Sequence, residues 1–538
     1  GKGRFLVGLP FLCLPSAIRH RHGSHEPAPL QVEPMNRRHI AIILLSLGFF
    51  LLNGFSPNIL HAAGKKKKKG KSTPTLEQVF QPSQLKEDLR ILQEILETSH
   101  PGMYLYTSKE DFNQGFNKAE EILDNKTTRL DFYRTVAPLM EKVRCGHTYF
   151  DLPDKLVNNL MEDGKLFPVP VFFLAQKAYV DQQEGSLPLG AEITSINGVS
   201  MPEILKQLLP YLLSDGFNQT MKYRQIADEF ALHHYLHFGE TTKFQVTYRP
   251  VGEKNVLKKL LNPIPGKELE KLIAERHSDK GRMRKYKLKL VEKEIALLTV
   301  DSFDFGVNQK SRQRYRQFLK DNFDALEQNK EIRSLVLDLR RNEGGYVGND
   351  SRLFSYFARQ PFWDAQSIEA ISQKIPQQEH LAKFQFPRMI EKQLARDFRK
   401  DETGRYFMIP DKNPEIKPRK KVFDGKIHVL ISGWTHSAGA VLASQFLNND
   451  NVVFIGEETG GGHAAFTAGN MMLYDLPNTR CQLEVPLLLY RNNPGLRKFS
   501  KGSGVQPDHP VTQTQEDFIR GVDTILEFAL KMAAHSKS

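Results

Sequence analysis

The feature that most constrains this chain is a repeated alternation that begins at Ile295. Strand-length aliphatic runs, "IALLTVDSF", "SLVLDLR", "KIHVLIS" and "NVVFIG", recur through the C-terminal half. Between them, apolar residues at helical spacing predict helices over 309–329, 348–358 and 437–449. Strands joined through helices are crossover-connected, which favours parallel pairing with both sheet faces covered. The expected fold class is therefore an α/β core with largely parallel strands.

The rest of the chain divides around that core. Residues 76–152 read as mostly helical, interrupted at "SHPGMY" by proline and glycine. Residues 165–262 read as β-rich, with "FPVPVFFL", "GAEITSING" and "TKFQVTYRP" as strands. A basic connector, "DKGRMRKYKLKLVEKE", leads into the α/β domain, assigned to 285–535. Within it, residues 376–421 are charged and contain proline, and read as an insertion across the surface. No internal repeat is evident.

Charge looks at first like a nucleic-acid signal, because the 538 residues carry a net +13. Its distribution excludes that reading. Residues 1–74 hold twelve Lys/Arg against two Asp/Glu, and the remainder holds 63 against 60. The basicity belongs to the leader, so no nucleic-acid partner is expected of the folded body. From Met35, "MNRRHIAIILLSLGFFLLNGFSPNILHAAG" has a basic start, an apolar stretch and a small-residue end. That layout predicts a signal peptide within a leader spanning 1–64, with residues 1–34 an over-extended start, and hence an exported, periplasmic or secreted protein. An uncleaved leader would instead tether it to a membrane. The Lys-rich stretch at 65–75 reads as a solvated tether, so membrane contact is expected only through leader or tether. Cys145 and Cys481 are too few for a disulfide framework and wrongly spaced for a metal site, though a bridge between them is compatible with export.

The chemistry concentrates at strand ends. Ser437 follows "KIHVLIS" and opens a helix, where unpaired amides and the positive dipole end stabilise an oxyanion. Serine is also a favoured helix N-cap, so this stretch alone leaves nucleophile and cap both open. A nucleophile elbow would place glycine two residues to either side, and only Gly439 meets that pattern, with Thr435 on the other side. "LVLDLRRNEGGYVGND" releases a second strand into Gly344-Gly345, whose amides suit an oxyanion hole. "FIGEETGGGHAAF" places a third glycine-rich loop after the next strand. Three such loops at strand C-termini fit one cleft.

In that order, "LVLDLRRNEGG", "THSAGA", "IGEETGGG" and "GSGVQPDHPV" resemble the carboxyl-terminal-processing, or tail-specific, serine peptidases. "SHPGMY" and "VRCGHTYF" resemble the helical segment of their exported bacterial branch, and "LPLGAEITSINGVSMPEIL" its PDZ-like part. The resemblance implies a crotonase/ClpP-like catalytic core preceded by a helical segment and a PDZ-like β-rich domain. It also implies Ser437 as nucleophile, and an oxyanion hole formed by the amide of Ala438 and one from Gly344-Gly345. Asp338, Arg340, Asn342 and Asp508 would then be structural, and Thr459 would shape its loop.

The departures from the family pattern direct the choice of base. Gly462 stands where many members carry the lysine of a Ser-Lys dyad, and Lys501 stands where the tricorn-type members carry a glutamate. Tricorn-type relatives use an upstream histidine, and His147 matches that position, with His463 and His436 as alternative bases. An imidazole near working pH is a competent base for serine. The implied function is an exported serine endopeptidase acting on unfolded or C-terminal polypeptide segments through an acyl-enzyme, with no metal or organic cofactor. A silent homologue that binds peptides or apolar ligands is the alternative. A crotonase-like acyl-CoA enzyme, which would not depend on a serine, is the third reading.

Overall fold

The computed structural model describes residues 74–277, 286–305, 309–346, 348–492, 497 and 499–535. The leader, the signal peptide from Met35 and nearly all of the Lys-rich tether lie outside them.

A six-stranded sheet organises the C-terminal half. Its strands are β1 (Tyr286–Glu292), β2 (Ile295–Val300), β3 (Ser334–Asp338), β4 (Lys426–Ile431), β5 (Val452–Gly456) and β6 (His509–Pro510). They lie in the order β6-β5-β4-β3-β2-β1. Strands β2 to β6 pair in parallel, and β1 is an antiparallel edge on β2. In β3, Leu337 stands opposite Leu298 of β2 and Val429 of β4. Helices α1 (Gln309–Gln328), α2 (Asn349–Phe354) and α3 (Ala438–Phe446) supply the crossovers, and α4 (Thr524–His535) closes the chain.

The aliphatic runs have no polar alternation because both faces of this sheet are buried. Leu298, Leu335, Leu337, Ile427 and Val429 face a core shared with Leu319, Phe323, Leu442 and Phe446. The alternate positions Leu297, Val336 and Leu430 face a second core with Ile525, Ala529 and Ala533 of α4. Each such side chain taken from water contributes about 1.5–3 kcal/mol. The α/β alternation read from the sequence is thus observed, in a mixed rather than purely parallel sheet.

Helices occupy Pro82–Ser99, Lys109–Ile122 and Arg129–Met140. The following region holds an antiparallel sheet in the order Val171–Leu174, Lys177–Val180, Glu192–Ile196, Phe244–Arg249, Leu257–Leu261. It also contains a 19-residue helix, Thr220–Phe238, that the strand-like reading does not anticipate. Its buried residues include Lys222, His233 and His234 beside Met221, Ile226 and Phe230, so no clean apolar stripe marks it as helical.

The segment 376–421, read as a surface insertion, contributes a helix at Pro387–Asp397 and two strands, Phe398–Lys400 and Tyr406–Met408. These join Ser367–Ala370, Leu488–Arg491 and Ala465–Ala468 in a five-stranded sheet. The helical region, the antiparallel sheet and this extension share one core, in which Leu92, Phe132, Ile193, Val246, Ile368 and Leu483 all take part. Cys145 and Cys481 are buried free thiols, so the bridge that the sequence allowed is not formed. No described helix is long and apolar enough to cross a membrane.

Candidate active site

Strand β4 ends at Ile431, and six residues later Ser437 precedes the first residue of α3. The turn between them is fixed by its own polar groups. Thr435 Oγ1 donates to Leu339 O (2.9 Å) and accepts from Ser432 N (3.0 Å), and Ser432 Oγ donates to Arg340 O (2.5 Å). Ser437 itself lies at φ 50°, ψ −128°, a region that costs a non-glycine residue about 1–3 kcal/mol. Its side chain makes no capping bond, and among the described residues Oγ has no hydrogen-bond partner. The helix-cap reading therefore fails. The backbone is strained there, as at a nucleophile elbow, and the hydroxyl is not spent on the helix amides.

The Gly344-Gly345 turn lies against this serine. At Gly344 the backbone has φ +100°, and a β-carbon there would stand 2.5 Å from Ser437 Cβ and 3.0 Å from Ser437 Oγ. Only glycine tolerates both the dihedral and the approach. Asn342, fully buried, ties the two turns together. Its Nδ2 donates to Val300 O (2.9 Å), its Oδ1 accepts from Gly344 N (2.9 Å), and its backbone oxygen accepts from His436 N (3.0 Å). The Gly344 amide is thereby committed. Among the described residues, the amides of Gly345 and Ala438 have no acceptor, so of the Gly344-Gly345 pair it is Gly345 that has an N–H group to offer beside that of Ala438. Strand ends are held by charge: Arg340 grips Asp338 and, from α4's N-terminal side, Asp523.

One imidazole, His436, precedes Ser437 in the same turn, and the other arrives from elsewhere. After the helix Arg129–Met140, a short turn and Arg144 in the left-handed region (φ 54°) send the chain into Cys145-Gly146-His147. The His147 ring stacks on His436 at 4.5 Å between centroids. His436 is buried, and its Nε2 lies 3.6 Å from Asp215 Oδ2, an ion-pair separation rather than a hydrogen bond. Asp215 is also buried, and accepts from Gly146 N (2.8 Å) and Gly462 N (3.1 Å). His147 Nδ1 and His436 Nε2 are both sealed from solvent without a hydrogen bond.

Electrostatics follow from this packing. Burial, reinforced by the neighbouring His436 and opposed by Asp215, pulls His147 down to about 3. It is neutral, yet less basic than the solvated imidazole assumed from sequence. Burial by itself would raise Asp215, but His436, His147 and the Gly146 amide outweigh it and hold the carboxyl below its usual range. Burial, with the Asp215 charge, pushes the Cys145 thiol up to about 12.

His463 points another way: its Nδ1 meets Ser503 O at 2.7 Å and its ring stands edge-on to Phe499. Lys501 lies over the Tyr106 ring, 5.8 Å from its centre. Thr459 Oγ1 donates to Gly461 O and accepts from Val505 N, which shapes its loop. Asp508 accepts from Phe454 N and pairs with Arg497. Asp215 is the residue that sequence reasoning missed. Its only local signal is an Asp-Gly turn, and nothing in "LLSDGFNQT" says which distant groups it meets. For a metal, Cys145, His147 and Asp215 offer donor atoms all within 4.8 Å of one another.

Residues 294–511 match the profile of peptidase family S41. No curated protein sequence matches the chain. Among solved structures, mature CPAF is similar with a TM-score of 0.57 and 13% identity, covering 84% of this chain and 96% of that one. Mature CPAF complexed with lactacystin is similar at 0.56 and 13%, covering 84% and 98%. The photosystem II D1 C-terminal processing protease aligns over 84% of this chain and 97% of that one at 13% identity, with a TM-score of 0.39. At these identities the likeness shows the fold alone.

Proposed function

With a peptidase family S41 domain over residues 294–511 as the premise, we propose that this chain is a serine peptidase with Ser437 as its nucleophile. The observation that carries the reading is the Ser437 backbone, strained at φ 50° with its hydroxyl unspent on capping. In the proposed reaction, Ser437 Oγ attacks a peptide carbonyl, and its proton passes to a half-buried neutral imidazole, His147. The developing oxyanion is met by the Gly345 and Ala438 amides, a contribution of about 3 kcal/mol per donor in comparable sites. The imidazolium that forms is stabilised by the Asp215 carboxylate, which supplies the negative charge that Lys501 cannot. Protonated His147 then gives the proton to the leaving amine, and water releases the acyl-enzyme.

The substrate of this reading is an unfolded or C-terminal polypeptide segment, and the setting is outside the cytoplasm, as the Met35 leader suggests. A PDZ-like role for residues 165–262 belongs to the same proposal: an antiparallel sheet edge can capture an extended chain end by strand addition. Cleavage of an unfolded protein by the chain, beside Ser437→Ala and His147→Ala, tests the reaction. Activity lost in both variants supports the Ser437–His147 pair. Activity kept in Ser437→Ala removes the serine mechanism. Several substrates left intact by the wild type would move the silent peptide-binding homologue ahead.

A further inference from the structure

The proposed peptidase reaction leaves one buried nucleophilic side chain unused. Cys145 is two residues from His147, free, and buried. Its Sγ lies 2.7 Å from Thr467 Oγ1 and 3.3 Å from the His147 amide. A small hydrophobe would fill that volume equally well, so the thiol by itself assigns nothing. Its surroundings do. Cys145 Sγ, a His147 ring nitrogen and an Asp215 carboxylate oxygen lie within 4.8 Å of one another. They come from two segments almost seventy residues apart, brought together by the bond from Gly146 N to Asp215 Oδ1. Beside these three, His436 is only 4% exposed, and its Nε2 makes no hydrogen bond and stands 3.6 Å from Asp215 Oδ2.

We propose that Cys145, His147 and Asp215 form a zinc site, with His436 as the fourth ligand or the residue facing an open fourth position. Zinc takes this donor set: thiolate at about 2.3 Å, imidazole at about 2.0–2.1 Å and carboxylate at about 2.0–2.2 Å. Hard cations such as calcium and magnesium select oxygen-only shells, and a thiol argues against them. Donors around a tetrahedral zinc stand closer together than 4.8 Å, so the site closes slightly on loading. An outer shell already exists, because both Asp215 oxygens accept backbone amides and the Cys145 sulfur rests on Thr467. Loading is a proton-for-metal exchange: the Cys145 S–H proton goes to water as the S–Zn bond forms, leaving a site in which thiolate and carboxylate balance the dication. Access is from the His147 side, since that residue is the partly exposed member of the three.

The consequence for function rests on the serine-peptidase reading. A metal on His147 occupies the lone pair that would accept the Ser437 proton, so bound zinc switches cleavage off and its removal restores it. The metal site itself does not depend on that reading.

The test uses the full chain carrying Ser437→Ala, stripped with a chelator and titrated with cobalt(II) chloride. The expected result is a near-ultraviolet thiolate-to-cobalt charge-transfer band that saturates at a single equivalent and is bleached by zinc(II) chloride. The band should be lost in Cys145→Ser and kept in Cys13→Ser and in Cys481→Ser, which remove the two thiols outside the site. Zinc should also raise the melting temperature of the same chain with Cys145 intact, as any ligand of the native state does, which needs no further variant. Absence of the band and of the melting shift at saturating metal overturns the site, as does a band that survives in Cys145→Ser. On the wild-type chain, zinc should abolish cleavage and chelator should return it, and cleavage that is unaffected by saturating zinc overturns the switch. A wild-type chain that cleaves nothing defeats the peptidase reading, and the cobalt band still decides the metal site.

Discussion

The two halves of the candidate site are built on different principles. On the serine side, everything comes from the ends of the parallel strands β2, β3 and β4, and Asn342 alone joins Val300, Gly344 and His436. The amides left free, those of Gly345 and Ala438, are the ones a reacting carbonyl would use. On the imidazole side, three segments far apart in sequence meet, and two ring nitrogens are buried without partners. The first half is a rigid frame holding one strained residue. The second is a cluster of charge and lone pairs held by a single carboxylate, Asp215. In the proposed reaction, strain is stored where the bond would be made, and electrostatic freedom where the proton, or the proposed metal, would be taken up.

That contrast can be broken in several places. The largest effect is expected from Asn342→Ala, which strands the buried Gly344 N–H and Val300 C=O together. A loss of about 3 kcal/mol follows, read by denaturant unfolding, with cleavage falling because the Gly-Gly turn is released. Asp215→Asn comes next. An amide keeps one acceptor oxygen but must turn its NH2 toward one of two N–H donors, Gly146 or Gly462. Unfolding should show a cost of about 2 kcal/mol, and a cost near zero would mean that the imidazole side is not held by this carboxylate. Ser437→Gly sharpens the comparison from the other side. Relief of backbone strain, partly offset by a more flexible unfolded chain, should stabilise the fold by about 1 kcal/mol while abolishing cleavage.

A further effect is pH-dependent. Glu484 stands opposite Tyr149, two residues past His147, and burial, followed by the Asp151 charge, pushes its carboxyl up to about 7. The fold therefore favours the protonated form. The contribution of Glu484 to stability falls as pH rises from the ordinary glutamate value through about 7, because the folded chain holds on this group a proton that the unfolded chain has released. Glu484→Gln should equal wild type in acid and melt higher above that range. Parallel melting curves across the whole range would show that Glu484 is not perturbed.

Much of this molecule was legible in its residues, and the reasons are specific. The aliphatic runs of β2 to β5 announce strands because both faces are buried, and a strand followed by an Ala- and Leu-rich helix locates the Ser437 turn. The glycines at 344 and 345 signal a backbone approach that the structure shows in full. Which glycine amide is free was not legible, because it depends on the rotamer of Asn342. The helix Thr220–Phe238 was hidden by its encircling burial, which erases the period-3.6 signal. Asp215 was hidden by distance: a carboxylate that works through tertiary contacts to Gly146, Gly462 and His436 leaves no local pattern. The perturbed His147 has the same origin, since burial is a property of the assembled core and not of "CGHTYF".

The central claim is that Ser437 is a nucleophile activated by His147. The most direct measurement is reaction of the full chain with a serine-directed fluorophosphonate, followed by peptide mass mapping and rate measurement. The account predicts one adduct, on Ser437, absent in Ser437→Ala and formed at least about a hundredfold more slowly in His147→Gln, the scale of general-base assistance. A folded chain whose Ser437 stays unlabelled, or one labelled at the same rate without His147, would contradict it.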